Sequence, residues 1–161
     1  MDAPIYERFD TNDGFQTAVD RLMEQPGREL RVFDPDGAAL RLNDPKRIER
    51  LDHFLLASRT RRFYLVVHDT DHLTRQCPRL LTLLRRFAHA MQINRTHEEI
   101  REVQDAFLLL DAMHYVRRPV AGLFRGAMGL GDENEGQALR GRFGEIWSAS
   151  YPAVSSTTVG L

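Results

Sequence analysis

Residues 62–67 read RFYLVV and form the clearest strand pattern in the chain. The run is almost continuously apolar, which is typical of a central strand covered on both faces of a sheet. ELRVF at residues 29–33 and AFLLL at residues 106–110 predict two further strands. Apolar residues at helical spacing lie around these runs, in the segments 15–23, 48–55, 77–87 and 137–148. Strands that alternate with helices predict an α/β fold.

The remaining segments predict how the sheet is completed. Residues 111–113 are expected to form a tight turn after AFLLL, so that residues 114–117 return as an antiparallel strand. Residues 91–93 predict a short strand. Residues 119–136 hold five of the 11 glycines and predict a loop or an irregular edge strand. We therefore expect a mixed, mostly parallel sheet with flanking helices.

Length and composition indicate the domain organisation and the cellular compartment. The segment 1–10 predicts a frayed N-terminal arm, and the segment 11–161 has the usual length of a single domain. No stretch approaches the roughly 20 apolar residues of a membrane span. Cys77 is the only cysteine, so an internal disulfide is impossible, and we expect a cytoplasmic protein. The net charge of −1 gives no general attraction to nucleic acid, although all but one of the 22 basic residues are arginine.

Five segments in a fixed order resemble phospholipase D-like domains, and in particular an uncharacterised bacterial branch that is sometimes joined to N-acetyltransferase domains. These segments are RFYLVVHDTDHL (62–73), CPRLLTLLRRF (77–87), MQINRT (91–96), DAFLLLDAMHYVRRP (105–119) and FGEIWSAS (143–150). Members of that branch often end in a segment like SSTTVGL, at 155–161 here. The resemblance covers roughly residues 28–161 and implies a phospholipase D-like half-domain.

Active members of that superfamily carry the motif His-x-Lys-x4-Asp. Its histidine attacks phosphorus, its lysine neutralises the phosphoryl oxygens and its aspartate orients the histidine. The resemblance aligns the aspartate with Asp111, the histidine with Gln104 and the lysine with Ala106. Lys46 is the only lysine and Asp44 precedes it by two, so no register contains His-x-Lys. The resemblance therefore implies a chain that is not a phosphodiesterase, with no catalytic residue assigned.

Most candidate ligand-binding residues follow the predicted strands, where α/β sheets usually bind ligands, whereas Asp105 precedes AFLLL and His114 begins the return strand. A polar cluster of His68, Asp69, Asp71 and His72 comes directly after RFYLVV. Its simpler interpretation is a loop in which Asp69 or Asp71 caps a helix. The alternatives are ligand binding by the cluster and a zinc site at His68 and His72. Thr96 could also cap a short helix, and Arg117 or Arg118 could pair with Asp105 or Asp111. The candidate set is His68, Asp69, Asp71, His72, Arg95, Thr96, Asp105, Asp111 and His114, with no metal site and no cofactor.

We predict a non-catalytic phospholipase D-like module that binds a phosphorylated ligand or a protein partner. Two alternatives remain, a divergent hydrolase that uses histidines at the strand ends, and a nucleic-acid-binding domain. The latter would use a basic patch formed by Arg59, Arg61, Arg62, Arg79, Arg85 and Arg86. Because active sites of this superfamily need two packed half-domains, the resemblance also implies a C2 homodimer. An acetyltransferase is a further possible partner, by fusion.

Overall fold

The computed structural model describes residues 3–155 and shows a single eight-stranded sheet with helices on both faces. The strands are β1 (Ile5–Phe9), β2 (Glu29–Asp34), β3 (Arg62–Val67), β4 (Met91–Thr96), β5 (Ala106–Leu110), β6 (His114–Arg118), β7 (Gly126–Leu130) and β8 (Ser150–Pro152). The helices are α1 (Asn12–Met23), α2 (Pro45–Leu56), α3 (Asp71–Gln76), α4 (Pro78–Arg86) and α5 (Glu133–Ser148). Single turns of 3-10 helix occupy Ala38–Leu40 and Glu98–Ile100. Residues 156–161, which carry most of the SSTTVGL segment, lie outside the described part.

The sheet has the strand order β1-β7-β6-β5-β2-β3-β4-β8 and is mixed, as predicted. Only the β2–β3 and β3–β4 pairs are parallel, whereas every other neighbouring pair is antiparallel. The prediction of a mostly parallel sheet was therefore wrong. The physical reason is connectivity: helical crossovers join β2, β3 and β4, but short turns and loops join β5, β6 and β7, and such connections make antiparallel neighbours.

The segment predicted as a frayed arm contains the edge strand β1, which pairs with β7 from Ile5 opposite Leu130 to Phe9 opposite Gly126. Likewise, the segment 119–136, predicted as a loop or an irregular edge strand, contains β7 in the interior of the sheet and the first turn of α5. The glycines favoured a loop in the prediction, but in the structure they allow neighbouring side chains to pack closely against the strand. A Cβ atom on Gly129 would lie 2.3 Å from the Tyr115 ring.

Both faces of the sheet are covered, as RFYLVV predicted. On one face, α1 to α4 pack over side chains such as Val32, Leu65 and Leu108. On the other face, α5 places Phe143 and Ile146 against the opposite side chains of the same strands. No helix within residues 3–155 is long and apolar enough to cross a bilayer.

The strands of the sheet end at two opposite edges. The carboxyl edge is the edge at which β2, β3 and β4 end, where β5 also begins and β6 ends, because both are antiparallel to their neighbours in that region. The amino edge is the opposite edge, where β2, β3 and β4 begin and where the turn between β5 and β6 lies.

Candidate functional site

The carboxyl edge has a buried ion pair at its centre. Asp34 ends β2 and Arg118 ends β6, and the two side chains are 1% and 3% exposed. Burial raises the pKa of Asp34, while the Arg118 charge and the N–H groups of Gly37 (2.7 Å) and Asp36 (3.3 Å) oppose that shift. Burial likewise lowers the pKa of Arg118, and Asp34 opposes it. Each group thus stabilises the charged form of the other against the cost of desolvation.

Arg118 also organises the loop that follows it. Its Nη1 atom donates to the carbonyl oxygen of Ala121 at 2.5 Å, and its guanidinium carbon lies 4.5 Å from the ring centroid of Phe15 on α1. The backbone N–H of Ala121 in turn donates to the carbonyl oxygen of Gln104 at 2.6 Å. The loop 119–125 is therefore held against the segment that precedes β5.

His68 lies in a hydrogen-bonded network next to the ion pair. Its Nε2 atom is 2.7 Å from the carbonyl oxygen of Val103, and its Nδ1 atom is 2.7 Å from the Thr96 hydroxyl. Because a carbonyl oxygen only accepts, Nε2 carries the proton and Nδ1 accepts from the hydroxyl. The ring also contacts Phe33 edge-on at 5.2 Å between centroids. Both imidazole nitrogens thus make hydrogen bonds within the protein.

Two arginines complete this network through backbone carbonyl groups. Arg95 Nε donates to the His68 carbonyl oxygen at 2.9 Å, and Arg101 donates to the Thr96 carbonyl oxygen at 2.8 and 3.1 Å. Within residues 3–155, every buried side-chain nitrogen and oxygen atom has a hydrogen-bond partner. The interior of the carboxyl edge is therefore a satisfied polar network.

The acidic residues after β3 form the start of α3. The N-cap of α3 is Thr70 and not Asp69 or Asp71, so the capping interpretation named the wrong residue, although Asp69 Oδ1 accepts from the Asp71 backbone N–H at 2.8 Å in the turn before the helix. Asp69 and Asp71 are exposed, and His72 is half-buried. The predicted cap at Thr96 was wrong, because β4 extends through that residue and its side chain turns inward to His68. In the part of the chain that the structure describes, no three His, Cys, Asp or Glu side chains are grouped so that they could hold a metal ion.

A groove of about 310 Å³ lies beside Ala106, between the start of β5 and α5. Its charged side chains are paired: Arg142 donates to Asp105 at 2.6 and 2.9 Å, and Arg117 donates to Glu135 at 2.6 Å. The predicted pairing of Arg117 or Arg118 with Asp105 or Asp111 was wrong, because other side chains lie closer to each of these arginines. Arg142 was missed because nothing in the helical pattern of α5 distinguishes it. Arg118 also lines the groove and is neutralised by Asp34, so each of its three arginines has an acidic partner and the charge is balanced.

Asp111 and His114 lie at the amino edge, on the opposite side of the sheet from the other seven candidates. Asp111 has a φ of 57° and accepts from the backbone N–H groups of Arg28 (2.8 Å) and Glu29 (2.9 Å). His114 Nδ1 accepts from the Gly131 N–H at 3.0 Å. Both residues therefore connect elements of the fold, and they lie apart from His68 and the other candidates at the carboxyl edge.

A family described as Domain of unknown function (DUF7931) matches residues 11–156. The chain belongs to this family. No curated protein matches it significantly in sequence.

The fold is similar to Nuc from Salmonella typhimurium, a phospholipase D family member, with a TM-score of 0.65 and 10% identity over 95% of this chain and 100% of that one. NucT from Helicobacter pylori gives a TM-score of 0.58 and 7% identity over 94% and 100%. TrmBL2, an archaeal chromatin protein described as binding DNA in a novel mode, gives 0.64 and 11% over 92% of this chain. The chain spans only about half of TrmBL2, 54% of its length. These likenesses show a phospholipase D-like fold, as the segment order in the sequence implied.

Proposed function

We propose that this chain is a non-catalytic phospholipase D-like module that acts by binding a partner at the carboxyl edge of its sheet. The proposal rests on which side chains lie at that edge and on how their charges are paired. The positions that the resemblance assigns to the catalytic histidine and lysine hold Gln104 and Ala106, and the neighbouring ionisable groups Asp34 and Arg118 neutralise each other. Covalent phosphoryl transfer requires a free nucleophile and a group that neutralises the phosphoryl oxygens.

Of the two predicted kinds of partner, a protein surface suits this edge better than a phosphorylated ligand. The loop 119–125 presents Val120 and Leu123, which are 51% and 52% exposed, and the contacts of Ala121 to Gln104 and Arg118 hold the loop in place. A rigid loop with exposed apolar side chains loses little conformational entropy on binding. The groove beside it has balanced charge and therefore little attraction for a phosphate.

The first partner to test is a second copy of the chain. A C2 interface is self-complementary, so one apolar loop at the edge meets the same loop of the other copy. In this proposal Asp69, Asp71 and His72 border the contact surface, while His68, Arg95 and Thr96 fix the strand ends beneath it. Asp105 lies on the α5 side of the same edge.

Light scattering at micromolar concentration tests the homodimer. We expect the wild-type chain to have twice its monomer mass and the double variant Val120→Glu, Leu123→Glu to be monomeric. Leu56→Glu is the matched control, because Leu56 is also exposed but lies at the amino edge. A monomeric wild-type chain would contradict the homodimer, and a dimer that persists in the double variant would place the interface elsewhere.

Hydrolysis of bis(p-nitrophenyl) phosphate tests the absence of catalysis. We expect no turnover above buffer. If the protein hydrolyses the diester and His68→Asn or His114→Asn abolishes that activity, the chain is a divergent hydrolase and the proposal is wrong. Activity that remains unchanged in both variants would come from neither histidine and would point to a contaminating enzyme.

A further inference from the structure

A second groove lies at the amino edge, far from the carboxyl edge. It forms where the end of α2 meets the loop before β3 and the turn after α4, and its volume is about 440 Å³. Leu55 and Leu56 lie on the α2 side, and Phe87 lies on the α4 side. This volume is within the range of sites for small ligands.

The charged side chains that line this groove are all basic: Arg59, Arg62, Arg86 and His89. Arg86 is paired with a single acid, Asp52 on α2, at 2.7 Å. Within residues 3–155, the guanidinium of Arg59 and the imidazole of His89 make no hydrogen bond or ion pair, and both residues are exposed. Three arginines against one carboxylate give the groove a positive charge, in contrast to the balanced groove beside Ala106.

The backbone that carries these side chains is fixed before any ligand binds. The Arg61 N–H donates to the Ser58 carbonyl oxygen at 3.3 Å, which closes the loop before β3. Arg62 Nη1 donates to the carbonyl oxygens of Arg59 (2.8 Å) and Arg61 (2.7 Å). On the other wall, the Phe63 N–H donates to the Ala90 carbonyl oxygen at 2.9 Å. Both walls are thus tied to β3, which reduces the entropy lost on binding.

We propose that this groove binds the phosphate of a nucleotide, either free or within a single strand of nucleic acid. Arginine donors match the geometry of phosphate oxygens, and Arg59 has its donors free. Leu56, which is 64% exposed, borders the same groove and offers an apolar surface to the sugar or base beside the phosphate. The inference does not rest on the proposed function, because it concerns the opposite edge of the sheet and different residues.

Fluorescence anisotropy with a labelled single-stranded oligonucleotide of about ten nucleotides tests the proposal at about 50 mM salt, with AMP and inorganic phosphate as competitors. We expect Arg59→Glu to weaken binding roughly tenfold or more, since it removes a charge-assisted hydrogen bond and adds a repulsive carboxylate. Arg140→Glu is the matched control: Arg140 is an exposed arginine on α5, away from the groove. It changes the net charge equally and should weaken binding less than twofold.

The same titrations identify the source of the phosphate. Displacement of the oligonucleotide by AMP would indicate a free nucleotide, whereas binding of the oligonucleotide alone would indicate a nucleic-acid strand. Either result supports the proposal if it depends on Arg59. Inorganic phosphate that competes as well as AMP would overturn the nucleotide assignment. No binding of any probe, or equal losses in Arg59→Glu and Arg140→Glu, would overturn the site.

Discussion

Arg118 and Asp34 are 84 positions apart in the chain, yet their side chains form a buried ion pair across the end of the sheet. Arg118 lies directly opposite Ala106 in the pairing of β5 with β6, and Ala106 holds the position that the resemblance assigns to the catalytic lysine. The cation nearest to that position is therefore committed to a structural partner.

Breaking this pair from one side should strongly destabilise the protein. We expect Arg118→Met to lower the free energy of unfolding by about 3–5 kcal/mol, because the buried Asp34 carboxylate is left without its cation. The double variant Asp34→Asn, Arg118→Met removes both charges and should lose less than Arg118→Met alone. Urea denaturation measures each value. A double variant that loses as much as or more than Arg118→Met would show that the two charges are not coupled.

Placing a lysine at position 106, which the resemblance to phospholipase D-like domains assigns to the catalytic lysine, should also destabilise the fold. Ala106 is buried opposite Arg118, so Ala106→Lys would bury an ammonium group beside a guanidinium. We expect a loss of about 3 kcal/mol or more, measured by thermal or urea unfolding. Gln104→Lys is the control, since Gln104 is exposed and its replacement should change the stability by no more than about 0.5 kcal/mol. Equal stability of the two variants would contradict this account.

Asp111 should contribute to stability through the start of β2. Its Oδ1 atom accepts the backbone N–H groups of both Arg28 and Glu29, and its own backbone is left-handed. Asp111→Ala should cost about 1–3 kcal/mol, because it leaves those donors without an acceptor. Asp111→Asn retains an acceptor and tolerates the positive φ, so it should cost clearly less. Hydrogen exchange of the Arg28 and Glu29 amides would locate the effect, and unchanged protection in Asp111→Ala would refute it.

His114 should make stability depend on pH. Burial lowers the pKa of His114, with the Asp111 carboxylate opposing, so the unfolded chain takes up the proton at higher pH than the folded chain does. The contribution of the neutral imidazole is complete above about pH 6.5 and is lost as the pH falls through the folded-state pKa.

The variant His114→Asn isolates this contribution. Its Oδ1 atom can still accept from the Gly131 N–H but does not titrate. The free energy of unfolding in urea should therefore fall more steeply from about pH 7.5 to pH 5 for the wild-type chain than for His114→Asn. Parallel curves would mean that His114 has the same pKa in both states.

The central part of the fold could be predicted because burial on both faces gives a strand an apolar sequence, as in RFYLVV and AFLLL. The edge strands could not be predicted in this way. In β1 only Phe9 is even partly buried, so its sequence carries no core pattern. The glycines of β7 indicate close packing against Tyr115, but their sequence pattern is also typical of a loop.

The positions of the candidate residues could be predicted only where they follow from parallel strands that end at the same edge. His68 and Thr96 meet because β3 and β4 are parallel and end at the same edge. Asp111 lies at the other edge because β5 is antiparallel to β2. The partner of Arg118 depends on which strand lies beside β5, and nothing local to Arg118 or to the turn after Asp34 indicates that pairing.

The two margins of the sheet are formed by β1 and β8, which lie near opposite ends of the described chain. Six strands separate them, and a strand spacing of about 4.8 Å places the margins roughly 34 Å apart. The same separation makes resonance energy transfer between dyes on Tyr6 and Tyr151 a direct measure of whether all eight strands remain assembled.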